Sequence, residues 1–332
     1  MSETVVTIER LVFGGTGLAR TDQGIVFISD VAPGETVAIE RCGRKGGVAC
    51  GRPVKILKAS PARRDPPCPL AGTCGGCDWL HLIYKEQLAA KTEIFLECMR
   101  RIGGIKNLPS PDIVAAEEFG YRHRAQLNVD TQGNTGFFAR RTNSVVPVRR
   151  CPLLTGPLNT LLDDCSERKA AVPGQVKNFR VISGDNDRVA SYPVIDGHTL
   201  KSVTITAGAR TFEVRPEGFF QSNRPLLERL GSWALTCAGE GGRCVDLYGG
   251  SGFFSGLGNF FSGLTGIATT LAPTAANLWT DLKKSDAAKK QAAAQSKLAS
   301  TLLAFLPMLV IGGVVVTAIW LAFKFFRPAK AA

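Results

Sequence analysis

The chain has 332 residues, with 40 Lys and Arg against 28 Asp and Glu and a pI near 9.4. That length holds two or three domains, and the basic excess suits a polyanionic partner. Ten cysteines without a basic-then-apolar leader over residues 1–15 exclude a secreted disulfide scaffold and place the N-terminal part in a reducing, cytoplasmic compartment. The charge is uneven: eight basic and only two acidic residues follow Ser255.

Residues 1–58 predict short strands. Val5–Ile8, Gly24–Ile28 and Thr36–Ile39 are rich in β-branched residues, and Gly14–Gly17, Asp22–Gly24 and Pro33–Gly34 punctuate them. Several short strands at this spacing predict a small barrel. Arg41, Arg44, Lys45, Arg52, Lys55 and Lys58 are candidate phosphate contacts or solvated strand ends.

Next comes Cys68-Pro-Leu-Ala-Gly-Thr-Cys74-Gly-Gly-Cys77. Three thiols this close, with Gly75 and Gly76 allowing a tight fold-back, suit zinc or an iron–sulfur cluster. Cys151, followed by Pro152, is the candidate fourth ligand. Between them, Leu88, Phe95, Met99 and Ile102 keep helical spacing over 85–102, which Gly103-Gly104 ends. Alternation over Tyr121–Val129 predicts a strand with Arg122 and Arg124 on one face, with a hairpin partner at Gly136–Arg140. Such paired arginines hold phosphate or face solvent. His81, His123 and His198 stand isolated and receive no chemistry.

Residues 155–168 predict a helix, 176–214 strands, and 224–236 a further helix. Val245-Asp246-Leu247-Tyr248-Gly249-Gly250-Ser251-Gly252 is an apolar strand running into a glycine turn, the start of a doubly wound fold. Asp246, Gly250 and Gly252 would let a nucleotide cofactor approach the main chain.

Taken together, Cys68, Cys74, Cys77 and Cys151, the strand-rich start, Phe219-Phe220-Gln221-Ser222-Asn223 and the Asp246 loop resemble RNA uracil-C5 methyltransferases that carry an N-terminal TRAM domain, of the 23S rRNA-modifying type. The resemblance covers about residues 1–255. It implies an OB-like TRAM barrel over 1–58 and a central α+β domain over 59–210. In that domain the four cysteines hold a [4Fe–4S] cluster, and Arg122 and Arg124 contact RNA. It also implies the start of a Rossmann-like S-adenosylmethionine (SAM) domain over 211–255, with Gln221 and Tyr248 contacting the cofactor. Methylation at uracil C5 then requires a thiolate that adds at C6, a methyl group from SAM and a base that removes the C5 proton.

The last cysteine is Cys244, ahead of the glycine loop, so the chain as written lacks the expected nucleophile and is expected to be inactive. Residues 256–297 read as a linker and solvated helix. Leu298–Phe323 has 26 uncharged residues, long enough at about 1.5 Å each to cross a core of roughly 30 Å, and 324–332 form a basic tail. Phe253-Phe254-Ser255-Gly256-Leu257 recurs as Phe260-Phe261-Ser262-Gly263-Leu264, which reads as a join of two unrelated sequences. The fold expected is mixed α/β with a truncated methyltransferase domain, a protein partner covering its exposed sheet, and a C-terminal membrane anchor. The alternatives are a membrane-tethered RNA-binding protein without catalysis, or a chimera whose tail is a small membrane protein.

Overall fold

A computed structural model describes residues 4–167, 177–195, 197–238, 251 and 253. The expected cofactor residues Asp246, Tyr248, Gly250 and Gly252, the linker 256–297, the spanning segment 298–323 and the tail 324–332 lie outside the described residues. Among the described residues no helix is long and apolar enough to cross a membrane. The chain divides into two compact units. One comprises the chain up to Ile113, Glu118–Gly120 and Gln126–Phe179; the other comprises Val114–Glu117, Tyr121–Ala125 and the chain from Arg180 onward.

The first unit opens with six strands: β1 (Thr4–Thr7), β2 (Arg10–Leu11), β3 (Gly17–Thr21), β4 (Gly24–Ile28), β5 (Thr36–Lys45) and β6 (Val48–Lys58). They form one sheet in the order β1-β5-β6-β4-β3-β2. Every pairing is antiparallel except β4 with β6. Val6, Ile8, Ala19, Val26, Ile28, Val31, Val37 and Ile39 form its core, as alternation along a half-buried sheet requires. The expected closed barrel is not what forms. The two edge strands, β1 and β2, are consecutive pieces of one stretch of chain, broken at Ile8 and Glu9. Their amides bond instead to the carbonyls of Glu35 and Leu18, at 2.8 and 2.9 Å. The edges are thus joined by the covalent chain and not by a hydrogen-bonded ladder.

Helix α1 (Tyr84–Arg101) has Glu86 in its first turn and Arg100 and Arg101 in its last, both favourable to the helix dipole. Its buried positions are Ala90 and Phe95. Of the expected apolar face only Phe95 is buried, and Ile102, beyond the helix, is 55% exposed. Strand β7 (Arg124–Val129) begins in the second unit and ends in the first, where β8 (Thr135–Phe138) and β9 (Val145–Pro147) continue it as an antiparallel meander. Helix α2 (Gly156–Glu167) buries Leu158, Leu161, Leu162 and Cys165, one stripe at helical spacing.

In the second unit, β10 (Asn178–Ser183), which starts at the boundary, pairs with β11 (Val189–Tyr192), and β12 (Val203–Ala207) pairs with β13 (Arg210–Val214). A 3-10 turn at Arg224–Leu226 leads into α3 (Leu227–Ala238), so the helix expected from 224 starts three residues later, with Pro225 in the turn that precedes it. The core here gathers Ile182, Val203, Ile205, Phe212, Val214, Phe220, Leu227 and Phe253.

Candidate functional site

Two loops carry the residues singled out by sequence, one in each unit. In the first unit, the cysteine loop is a run of turns lying against the end of β8. Cys74 bridges Ala139, and Gly75 donates its N–H to the Phe138 carbonyl at 2.9 Å. A Cβ at position 75 would stand 2.8 Å from that carbonyl oxygen. Close approach, not an unusual backbone angle, therefore demands glycine there.

The loop is anchored by charge. Arg140 donates from Nη2 to the Cys77 carbonyl at 2.8 Å and from Nη1 to both carboxylate oxygens of Asp30, at 2.6 and 2.7 Å. The Asp30 carbonyl accepts in turn from Arg63 Nη2 at 2.8 Å. Arg63 also binds Glu35, whose side chain is fully buried and accepts from the amides of Ala32 and Ser60. Burial by itself would raise the Glu35 pKa. The Arg63 bond and these amides outweigh it, and the net shift is downward.

Cys68, Cys74, Cys77 and Cys151 form no disulfide. Asn159 holds Cys151 in place, accepting from its N–H at 2.8 Å and donating to its carbonyl at 3.1 Å. Burial pushes the Cys151 thiol pKa up. The amides of Leu153 and Leu154 oppose this, and the charges of Cys68 and Cys74 add to it. Gly76 N–H points at Cys74 Sγ at 3.5 Å, and Arg140 Nε is buried without an acceptor. Among the described residues no three His, Cys, Asp or Glu side chains stand at ion-binding geometry. In donor type, cysteine thiols with a nearby N–H suit a thiolate-held metal group, though their placement here does not form one. The buried Cys165, with its thiol pushed up to about 11, has no such character.

In the second unit, the segment from Pro216 to Asn223 lies outside regular strands and helices and carries Gln221, which is 7% exposed. Ser251, from the centre of the glycine loop, donates its N–H to the Phe219 carbonyl at 2.9 Å. A Cβ on Gly218 would fall 2.6 Å from Ser251 Oγ, so glycine there makes room for the loop. Phe253 packs on Phe212 and Phe220, with ring centroids 5.5 and 5.4 Å apart. Ser251 and Phe253, the two described residues on either side of Gly252, are thus brought against the segment that carries Gln221.

Arg122 lies ahead of β7 in a single bridge to Asn223 and donates from Nε to the Arg124 carbonyl at 3.1 Å. Arg124 turns its guanidinium onto the carbonyls of Phe220 and Pro216, at 3.0 and 3.4 Å, and lies over the ring of Phe219. His123, fully buried between them, donates from Nε2 to the Gln221 carbonyl at 2.6 Å. Burial first, and then the cations Arg224 and Arg124, hold its pKa down at about 4, against bonds to Gln221 and Ser183 that favour protonation. Sequence reasoning passed over His123. A lone histidine carries no pattern, and its partner lies 98 residues away.

No family model matches the chain. In sequence it is 35% identical over 262 residues to an uncharacterised RNA methyltransferase of Bdellovibrio bacteriovorus, which covers 76% of this chain and 61% of that protein. It is 30% identical to a 23S rRNA (uracil-1939-C5)-methyltransferase of Pseudomonas entomophila, over 76% of this chain and 64% of the relative. In structure it matches the tRNA (uracil-54, C5)-methyltransferase of Pyrococcus abyssi, solved with S-adenosyl-L-homocysteine, with a TM-score of 0.51 at 19% identity over 75% of this chain and 69% of that one. The chain spans less than two thirds of the length of the curated relatives it matches. Over 76% of its length the chain is therefore similar in sequence to RNA methyltransferases, and it shares its fold with a uracil-C5 methyltransferase.

Proposed function

We propose that this chain supplies the RNA-gripping and cofactor-entry parts of a SAM-dependent RNA uracil-C5 methyltransferase of the rRNA-modifying type. The observation that carries the reading is the contact of Ser251 and Phe253 with Phe219 and Phe220, next to Gln221, in a chain whose sequence relatives are RNA methyltransferases. SAM, when bound, supplies the methyl group. Gln221, with Asp246, Tyr248, Gly250 and Gly252, is assigned to holding it.

RNA contact is assigned to the first unit's exposed basic residues Arg41, Arg44, Arg52, Lys55 and Lys58 and to Arg122. Cys68, Cys74, Cys77 and Cys151 are assigned to a [4Fe–4S] cluster with a structural role, since methyl transfer at uracil is not redox chemistry. Attack at uracil C6 needs a thiolate, and no cysteine follows Cys244 in this sequence.

The test is anaerobic purification of the full chain, followed by titration with SAM and with structured uridine-containing RNA. Binding of both is expected, with about four irons and four sulfides per chain that are lost on Cys74→Ala, and no transfer of labelled methyl groups to RNA. Failure to bind SAM sinks the cofactor assignment; methyl transfer by the purified chain sinks the assignment of an incomplete catalytic set.

A further inference from the structure

The geometry points to His123 and Arg124 as positioning residues that clamp the main chain of the Gln221 segment, so that Gln221 is presented to SAM. The inference rests on the assignment of Gln221 to the cofactor.

The segment has no ladder of its own, so its conformation must be imposed by whatever satisfies its carbonyls. Four consecutive carbonyls are each taken by a different donor. Phe219 O accepts from Ser251 N at 2.9 Å, Phe220 O from Arg124 Nη1 at 3.0 Å, Gln221 O from His123 Nε2 at 2.6 Å, and Ser222 O from His123 N at 3.2 Å. Arg224 N closes the stretch by donating to Tyr121 O at 3.0 Å. Two adjacent side chains, His123 and Arg124, thus hold two adjacent carbonyls, at Gln221 and Phe220.

His123 is held on its own side as well. Its carbonyl accepts from Ser183 N at 2.8 Å, and its ring packs against Phe220 at 5.9 Å. A carbonyl only accepts, so Nε2 carries the proton and Nδ1 of the neutral ring does not. Nδ1 is buried without a partner. A second proton there would put a full positive charge on a buried ring beside Arg124 and Arg224. The clamp therefore needs the proton on Nε2, and burial keeps the ring neutral in that tautomer. Arg124, half-buried with both terminal nitrogens on carbonyls, acts here on the loop.

The test uses the full chain with SAM as the titrated probe, and amide hydrogen exchange over residues 216–224 as a second readout. His123→Leu removes the donor and leaves the Gln221 carbonyl unsatisfied. It is expected to weaken SAM binding about tenfold and to speed exchange in the segment. His123→Gln can return an N–H near the Nε2 position and is expected to restore binding to within about threefold. In a Gln221→Ala background, His123→Leu should change affinity by no more than about twofold, because residues acting through one another are not additive.

Wild-type affinity in His123→Leu, or an undiminished effect in the Gln221→Ala background, overturns the proposal. If the wild-type chain binds no SAM, the cofactor reading fails by itself, and exchange still decides the clamp. Protection lost in His123→Leu and regained in His123→Gln upholds it; protection equal in all three overturns it.

Discussion

The cysteine loop of the first unit and the Gln221 segment of the second are both irregular stretches, held from far along the chain by different physics. The cysteine loop hangs on charge. Cys77 is tied to Arg140, Arg140 to Asp30, Asp30 to Arg63, and Arg63 to the buried Glu35. The Gln221 segment hangs on a neutral imidazole and on an arginine that spends its donors on carbonyls. A chain of ions is robust to mild acid but fragile to the loss of one member, because the remaining charge is stranded. A neutral buried donor tolerates salt but fails when it is forced to take a proton.

The largest effect is expected from stranding a charge. Arg63→Ala leaves the fully buried Glu35 with only amide partners and should cost about 3–5 kcal/mol in urea unfolding. A loss under about 1 kcal/mol would mean that Glu35 regains water and that the first unit is not held as described.

Acid separates the two regions next. The His123 pKa is held at about 4 against an ordinary 6.5. The unfolded chain therefore takes up this proton below pH 6.5 and the folded chain only near pH 4. Stability from this group is complete above pH 6.5 and falls as pH drops through that window, by up to about 3 kcal/mol. His123→Gln should flatten the slope of stability between pH 6.5 and 4. His81, whose pKa burial also lowers while its Nε2 bonds the Val31 carbonyl, adds to the slope in the same direction. Glu35, with its pKa lowered against the effect of burial by Arg63 and the amides, holds its charge to more acid pH than an ordinary glutamate. An unchanged slope in His123→Gln would show that the imidazole is not buried neutral.

The smallest effect is expected at Arg140. Its partner Asp30 is 39% exposed, so Arg140→Ala should cost only about 1 kcal/mol of global stability. Alkylation of Cys77 should nevertheless speed up as its carbonyl is released. Unchanged alkylation would separate the arginine from the loop.

Much of the framework was legible from local pattern. Helix α1 runs over Tyr84–Arg101 where 85–102 was expected, and α2 over Gly156–Glu167 where 155–168 was expected. Both follow from helical spacing of apolar residues and from the glycines beside them. The strands at Gly24–Ile28 and Val203–Ala207 follow from β-branched runs. The barrel closure expected of 1–58 does not form, because composition shows where strands lie but not whether the last finds the first. The break at Ile8–Glu9 is a bond-by-bond outcome. Arg124, a candidate phosphate contact by its alternation with Arg122, turned onto main-chain carbonyls for a similar reason. Alternation assigns a face, but not what covers it.

By itself the sequence determined the element types and the kinship with RNA methyltransferases, which rest on pattern along the chain. Tertiary structure alone decided the parallel pairing of β4 with β6, the chain of ions from Glu35 to Cys77 and the role of His123. These depend on groups about 20 to 110 residues apart meeting at hydrogen-bond distance, which no local periodicity encodes.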